Sequence, residues 1–194
     1  MSLNGLKQEP CVKFCSTCGA SVTLRIPDGD NRERFVCDHC LTIHYQNPKI
    51  VAGCIPEWDG RILLCKRAFE PRYGLWTVPA GFMENGESTE QAAIRETLEE
   101  AGAQVNITSL YSIFSIPHIS QVYMLFRGEL RHGDYHPGQE SLECRLFSEL
   151  EIPWEKLAFP VFRETLQRYY LDKSRNNGFP LQRGEIIKHP ARRP

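Results

Sequence analysis

The chain has 194 residues, 41% of them hydrophobic and 24% charged, which suffices for one ordinary domain and a small appendage but not for two full-sized domains. Its 23 basic and 24 acidic side chains leave a net charge of −1, so no overall field favours nucleic acid or anionic lipid, and the composition is not that of a disordered chain. The first ten residues, MSLNGLKQEP, show neither the charged nor the apolar region of a secretory signal, and the longest apolar runs are short; a soluble, cytoplasmic protein in a reducing compartment is expected.

Cysteines dominate the first segment. Cys15 and Cys18 form one C-x2-C pair and Cys37 and Cys40 another, with eighteen residues between them. That spacing suits a tetrahedral Zn²⁺ site, and four thiolates leave no open position, so this zinc would be structural. A dithiol redox pair, a disulfide pair, or His39 in place of Cys40 are the alternatives. Ser21 to Ile26 and Glu33 to Val36 read as strands around the turn Pro27-Asp28-Gly29-Asp30, giving a hairpin that carries two metal knuckles over residues 12–45. Cys11 reads as a bystander, and Cys54, Cys65 and Cys144 as small buried hydrophobes.

After Tyr45-Gln46-Asn47-Pro48, Ile50 to Pro56 and Arg61 to Arg67 read as strands joined by a tight Asp59-Gly60 turn, and Tyr73 to Gly81 as a short strand running into a loop. From Ser88 to Gly102 the pattern is helical, with Ser88 and Gln91 spaced as a capping box and Gly102 as the stop. Helical spacing puts Ile94, Leu98 and Ala101 on one face, expected to pack, and Glu96, Glu99 and Glu100 on the opposite, acidic one. Such carboxylates repel one another by roughly 0.2–0.5 kcal/mol per pair unless neutralised; a hard divalent cation is the natural neutraliser, and a solvated acidic face is the alternative. Val105 to Ser115, Gln121 to Leu130 and Cys144 to Phe147 supply further strands, with a loop over Arg131 to Gly138. A second helix begins at Pro160, its stripe of Phe162, Leu166, Tyr169 and Tyr170 assigned to core or dimer contact. From Lys173 to Pro194 a flexible tail, or an arm on a partner, is expected.

Gly81, Glu87 and the run from Arg95 to Ala103 match G-x5-E-x7-R-E-U-x-E-E-x-G-U, with U apolar, so the chain resembles the Nudix hydrolases; Thr97 and the small Ala103 depart from the two apolar positions. Seven fixed positions at roughly 6% usage each would match by chance about 3 times in 10⁸. The resemblance, over residues 48–172, implies an α/β/α sandwich with a mixed sheet, preceded by a small β zinc ribbon. It further implies Mg²⁺ or Mn²⁺ held by the Ala80 carbonyl, Glu96, Glu100 and Glu99, the last also orienting water, with Glu87 paired to Arg95. A further carboxylate is expected from Glu140, or second Glu143, and a phosphate contact from Arg67. Phe69, Tyr73, Trp76, Phe82 and Phe114 are the candidates for stacking on a base. His118 and His44 read as ordinary polar residues.

A zinc ribbon before a Nudix domain is similar to two groups. NADH pyrophosphatases, linked also to NAD-capped RNA, carry Ser-Gln-Pro-Trp-Pro-Phe-Pro after the motif, whereas this chain has Ser115-Ile116-Pro117-His118-Ile119-Ser120-Gln121. That stretch, with Ile26-Pro27-Asp28-Gly29, Leu64-Cys65-Lys66-Arg67, Gly74-Leu75-Trp76 and Glu140 to Phe147, resembles the FAD and ADP-ribose pyrophosphatases of the plant chloroplast type and their bacterial relatives. The resemblance implies hydrolysis of FAD to FMN and AMP, or of ADP-ribose to AMP and ribose 5-phosphate, in what those relatives suggest is a homodimer. The alternatives are an NADH pyrophosphatase or NAD-cap hydrolase and, in another class, a zinc-ribbon nucleic-acid-binding module using Lys188, Arg192 and Arg193.

Overall fold

A computed structural model describes residues 12–176 and 178–187. The chain divides into two compact units at Asn47/Pro48.

The first unit is a three-stranded antiparallel sheet, β1 (Val22–Arg25), β2 (Arg34–Cys37) and β3 (Ile43–His44), in that order. Asp30 shapes the turn between β1 and β2, accepting from the Asn31 and Arg32 amides and from Arg34 Nε at 2.9 Å. Among its described residues only Cys15, Val36 and Cys37 are buried. So thin an apolar core cannot order thirty residues by itself, and a metal ion on the four cysteines would supply the missing folding free energy.

In the second unit β4 (Lys49–Trp58) and β5 (Arg61–Arg67) form the expected hairpin, with Asp59 and Gly60 both at positive φ (47° and 74°), as a type I′ turn requires. There follow β6 (Trp76–Thr77), β7 (Ala80–Phe82), α1 (Thr89–Ala101), β8 (Val105–Ile116), β9 (Gln121–Leu130), β10 (Ser141–Phe147), α2 (Pro160–Arg175) and β11 (Gln182–Glu185). The sheet runs β10-β5-β4-β9-β8-β11, with β6 on β5 and β7 on β4; β4/β9 and β8/β11 are parallel and the other pairs antiparallel, so it is mixed. Alternation along β5 divides the core. Ile62 and Leu64 join Val161, Phe162, Leu166 and Tyr169 of α2 on one face, while Leu63 and Cys65 join Ala101 and Ala103 at the end of α1 on the other. The result is the expected α/β/α sandwich.

Two expectations are corrected. Ile94 and Leu98 are 39% and 51% exposed; the packed face of α1 carries Ala92, Ala93, Thr97 and Ala101 together with Glu96 and Glu100. Small side chains let this helix lie close to the sheet, and Thr97 fits because its hydroxyl donates to the Ala93 carbonyl at 2.7 Å. Nor is the chain beyond Lys173 a tail throughout. Helix α2 continues to Arg175, and β11 extends the sheet beside β8. Phe179 anchors that return, stacked on Tyr169 at 5.2 Å with the Arg127 guanidinium 3.5 Å from its ring centroid. Cys11, Lys188, Arg192 and Arg193 lie outside the described residues.

Candidate active site

In the first unit the four candidate thiols of Cys15, Cys18, Cys37 and Cys40 converge, all within 4.8 Å of one another. Cys15 and Cys40 sulfurs are 3.6 Å apart and those of Cys18 and Cys37 3.4 Å. Burial opposes ionisation of Cys15, yet the Cys18 and Thr17 amides and the His44 imidazole bring it down to about 5. Cys18 has the favourable Ala20 amide, but its sulfur neighbours push it up to about 12. Crowded thiols that resist joint ionisation fit a site in which one Zn²⁺ compensates four thiolates. His39 is not part of the cluster.

In the second unit the site begins with the ends of α1. Ser88 and Gln91 make the capping box, and the Gly102 amide closes the helix on the Leu98 carbonyl at 2.9 Å in left-handed conformation (φ 57°). Between these caps, Glu96 and Glu100 stand one turn apart on the buried face, 8% and 5% exposed. Gly81 makes room for the first of them: a Cβ there would lie 2.3–2.5 Å from the Glu96 carboxylate atoms. Burial first, then the neighbouring Glu96 charge, pushes Glu100 up to about 8, against the pull of Arg67 and the Ala80 amide; Glu140 adds to the repulsion. Glu96 is likewise raised by burial. Glu100 Oε2 is buried without a hydrogen-bond partner.

Arg95 ties the loop to the helix. Its Nη2 reaches Glu87 Oε1 at 2.8 Å and the Phe82 carbonyl at 3.1 Å, its Nε reaches Glu87 Oε2 at 3.1 Å, and its Nη1 bridges Glu96 (2.8 Å) and Glu99 (3.0 Å). Those hydrogen bonds, with one from the Glu84 amide, hold Glu87 down to about 2. Glu99 is the outermost acid of the group, its side chain 56% exposed.

These acids open onto a cleft of about 1410 Å³ that Arg67, Ala80, Gly81, Glu96, Glu99, Glu100 and Glu140 all line. Arg67 donates through Nε to the Pro71 carbonyl at 3.1 Å and lies over the Phe159 ring. Glu143 is not brought to the cleft. Opposite Lys66 on the β10/β5 ladder, it points along the same side as that lysine and meets its Nζ at 3.5 Å. The carboxylates are less tightly convergent than the thiols, which form the one cluster of metal-ligand atoms within 4.8 Å among the described residues. An orphaned buried carboxylate oxygen beside two further acids is nonetheless a hard-oxygen donor set that suits Mg²⁺ or Mn²⁺.

Of the stacking candidates, Phe82 and Phe114 line the cleft, as does His118; Trp76 is core, edge-on to Phe147 at 4.9 Å, while Phe69 and Tyr73 lie outside it, more than half exposed. Tyr123, Phe159, Arg72, Arg163 and Arg168 line it as well, not singled out in the sequence, and so does Phe162 of the packing stripe of α2. The i, i+3 spacing of Phe159 and Phe162 across the start of α2 was the one local signal available.

Residues 47–169 match the NUDIX domain family, and residues 13–46 match the Nudix N-terminal zinc ribbon. The chain is similar to the ADP-ribose pyrophosphatase of Methanocaldococcus jannaschii, 36% identical over 124 residues (59% of this chain, 69% of that protein). It is also similar to the NAD-capped RNA hydrolase NudC of Photobacterium profundum, 32% identical over 145 residues (72% of this chain, 51% of that one). The chain thus spans about half the length of the NudC proteins it matches. A solved NUDIX hydrolase from Nitrosomonas europaea superposes with TM-score 0.85 at 56% identity, covering 90% of this chain and 100% of that one. No helix among the described residues is long and apolar enough to cross a membrane. With signature, sandwich and zinc ribbon all in place, the chain belongs to the Nudix hydrolase family.

Proposed function

We propose that the chain hydrolyses the diphosphate of a nucleoside diphosphate derivative, with ADP-ribose as its foremost substrate, giving AMP and ribose 5-phosphate. The observation that carries this is the buried Glu100 carboxylate, its Oε2 without a hydrogen-bond partner, beside Glu96 and open to the same cleft as Arg67. Glu96, Glu99, Glu100, Glu140 and the Ala80 carbonyl would hold Mg²⁺ or Mn²⁺. When bound, such ions screen the diphosphate charge and make water a stronger nucleophile near neutral pH. Arg67 supplies a fixed positive charge for a phosphate oxygen, and Arg95 keeps Glu96 and Glu99 aligned. Glu99, exposed to the cleft with Oε2 held by Arg95, would take the proton from the attacking water. Water adds across the P–O–P bridge, one phosphorus gaining its oxygen and the other phosphate leaving on the bridging oxygen.

The names of the relatives support ADP-ribose, and also the NADH or NAD-cap alternative, better than they support FAD. Similarity to NudC favours that second reading, whereas Ser115 to Gln121 departs from the NADH pyrophosphatase segment. A panel of ADP-ribose, FAD, NADH and NAD-capped RNA, compared by kcat/KM at fixed Mg²⁺, decides. ADP-ribose is expected to be highest; intact ADP-ribose beside cleaved NADH or capped RNA would overturn the first reading.

A further inference from the structure

The loop that carries Glu140 is docked on the end of α1 through its backbone. The His136 amide donates to the Ala101 carbonyl at 2.8 Å and the Gly138 amide to the Glu100 carbonyl at 3.0 Å. Both acceptors lie in the last helical turn, where carbonyls lack partners within the helix. At Gly138 the approach leaves no room for a side chain: a Cβ would stand 1.7 Å from the Glu99 carbonyl oxygen and 2.8 Å from its carbon. Close approach, and not a left-handed backbone, is therefore what demands glycine here. Beyond it, the Ser141 amide donates to the Gly138 carbonyl at 3.1 Å, and the Glu140 carbonyl accepts from Ala68, the residue after Arg67, at 2.9 Å. Glu140 is thus fixed from two sides, by the helix that bears Glu96 and Glu100 and by the strand end that bears Arg67.

We infer that Gly138, outside the signature motif, is a positioning residue for the reaction. By letting the loop backbone lie flush on Glu99 and Glu100, it sets the separation between the Glu140 carboxylate and the two buried acids. The inference rests on the proposed role of Glu140 in holding cations.

A double-variant cycle tests it, read as the Mg²⁺ concentration for half-maximal turnover of ADP-ribose and as Mn²⁺ binding by electron paramagnetic resonance. Gly138→Ala should weaken metal binding about 10–100-fold, as loss of a supporting contact around a metal ligand does. Glu140→Gln should do the same, and the combination should be no worse than Glu140→Gln alone, because both changes remove one contribution. Additive losses, or a lower melting temperature with unchanged metal dependence, would overturn the inference. Unchanged metal dependence in Glu140→Gln would instead remove the role of Glu140 itself, and the inference with it. Should Gly138→Ala not fold, one glycine inserted between Gly138 and Gln139 keeps the flush contact and slackens the tether; it must raise the metal requirement too, and an unaltered requirement would count against the inference.

Discussion

The two units solve the same folding problem by different means. Residues 13–46 bury three side chains, two of them cysteines of the four-thiol cluster, whereas the catalytic unit closes a core of aromatic and branched residues on both faces of its sheet. Charge is handled just as differently. Four thiols face one another, while Glu96 and Glu100 of α1 are packed on the helix's buried side, where burial and mutual repulsion oppose their ionisation. Where apolar area is short, a bound metal would supply the folding free energy; where it is plentiful, the fold can hold carboxylates in an unfavourable place.

The largest effect that sharpens this contrast is zinc removal. Structural zinc contributes about 10–16 kcal/mol in comparable small sites. A strong chelator, or Cys37→Ser, should therefore leave residues 13–46 open to protease while the thermal transition of the catalytic unit persists. Simultaneous loss of both units, followed by calorimetry and proteolysis, would break the comparison.

Next comes Glu100→Gln, expected to lower kcat by about 10²–10³-fold, as loss of one electrostatic stabiliser of transition-state charge does, without loss of fold. The same variant has a signature in pH. Ordinarily near 4.5 but about 8 in the fold, Glu100 retains a proton that the unfolded chain releases, so its contribution to stability is full below about pH 4.5 and is lost as pH rises through 8. Denaturant titrations without divalent metal should show stability falling across that window in the parent protein and a flatter profile in Glu100→Gln. Equal slopes would mean that Glu100 is not buried among acids.

Leu166→Ala, fully buried on α2, should cost about 2–5 kcal/mol in denaturant unfolding and leave zinc retention untouched.

How much of this was legible in the sequence follows from where each signal is stored. The caps, the Asp59-Gly60 turn and the cysteine spacing are local and were read with nearly the observed bounds. The packed face of α1 was misread because apolarity alone assigns Ile94 and Leu98 inward; the cleft reverses the rule by drawing Glu96 and Glu100 to the packed side. Strand β11, Gln182-Arg183-Gly184-Glu185, has no apolar alternation and exists through Phe179, several residues earlier and packed on Tyr169. Nor does spacing separate Glu140 from Glu143; the pairing of β10 with β5, which sets Glu143 beside Lys66, does. Likewise Tyr123, Phe159 and Arg168 meet in the cleft only once β9 and α2 are assembled.

The most direct measurement is Mn²⁺ binding to zinc-loaded protein, followed by electron paramagnetic resonance in the parent chain and in Glu96→Gln/Glu100→Gln. The account requires saturable binding in the parent that the double variant loses while its zinc content and fold stay unchanged. Equal Mn²⁺ affinity in the two proteins would contradict it, since the acids of α1 would then have no part in gathering cations.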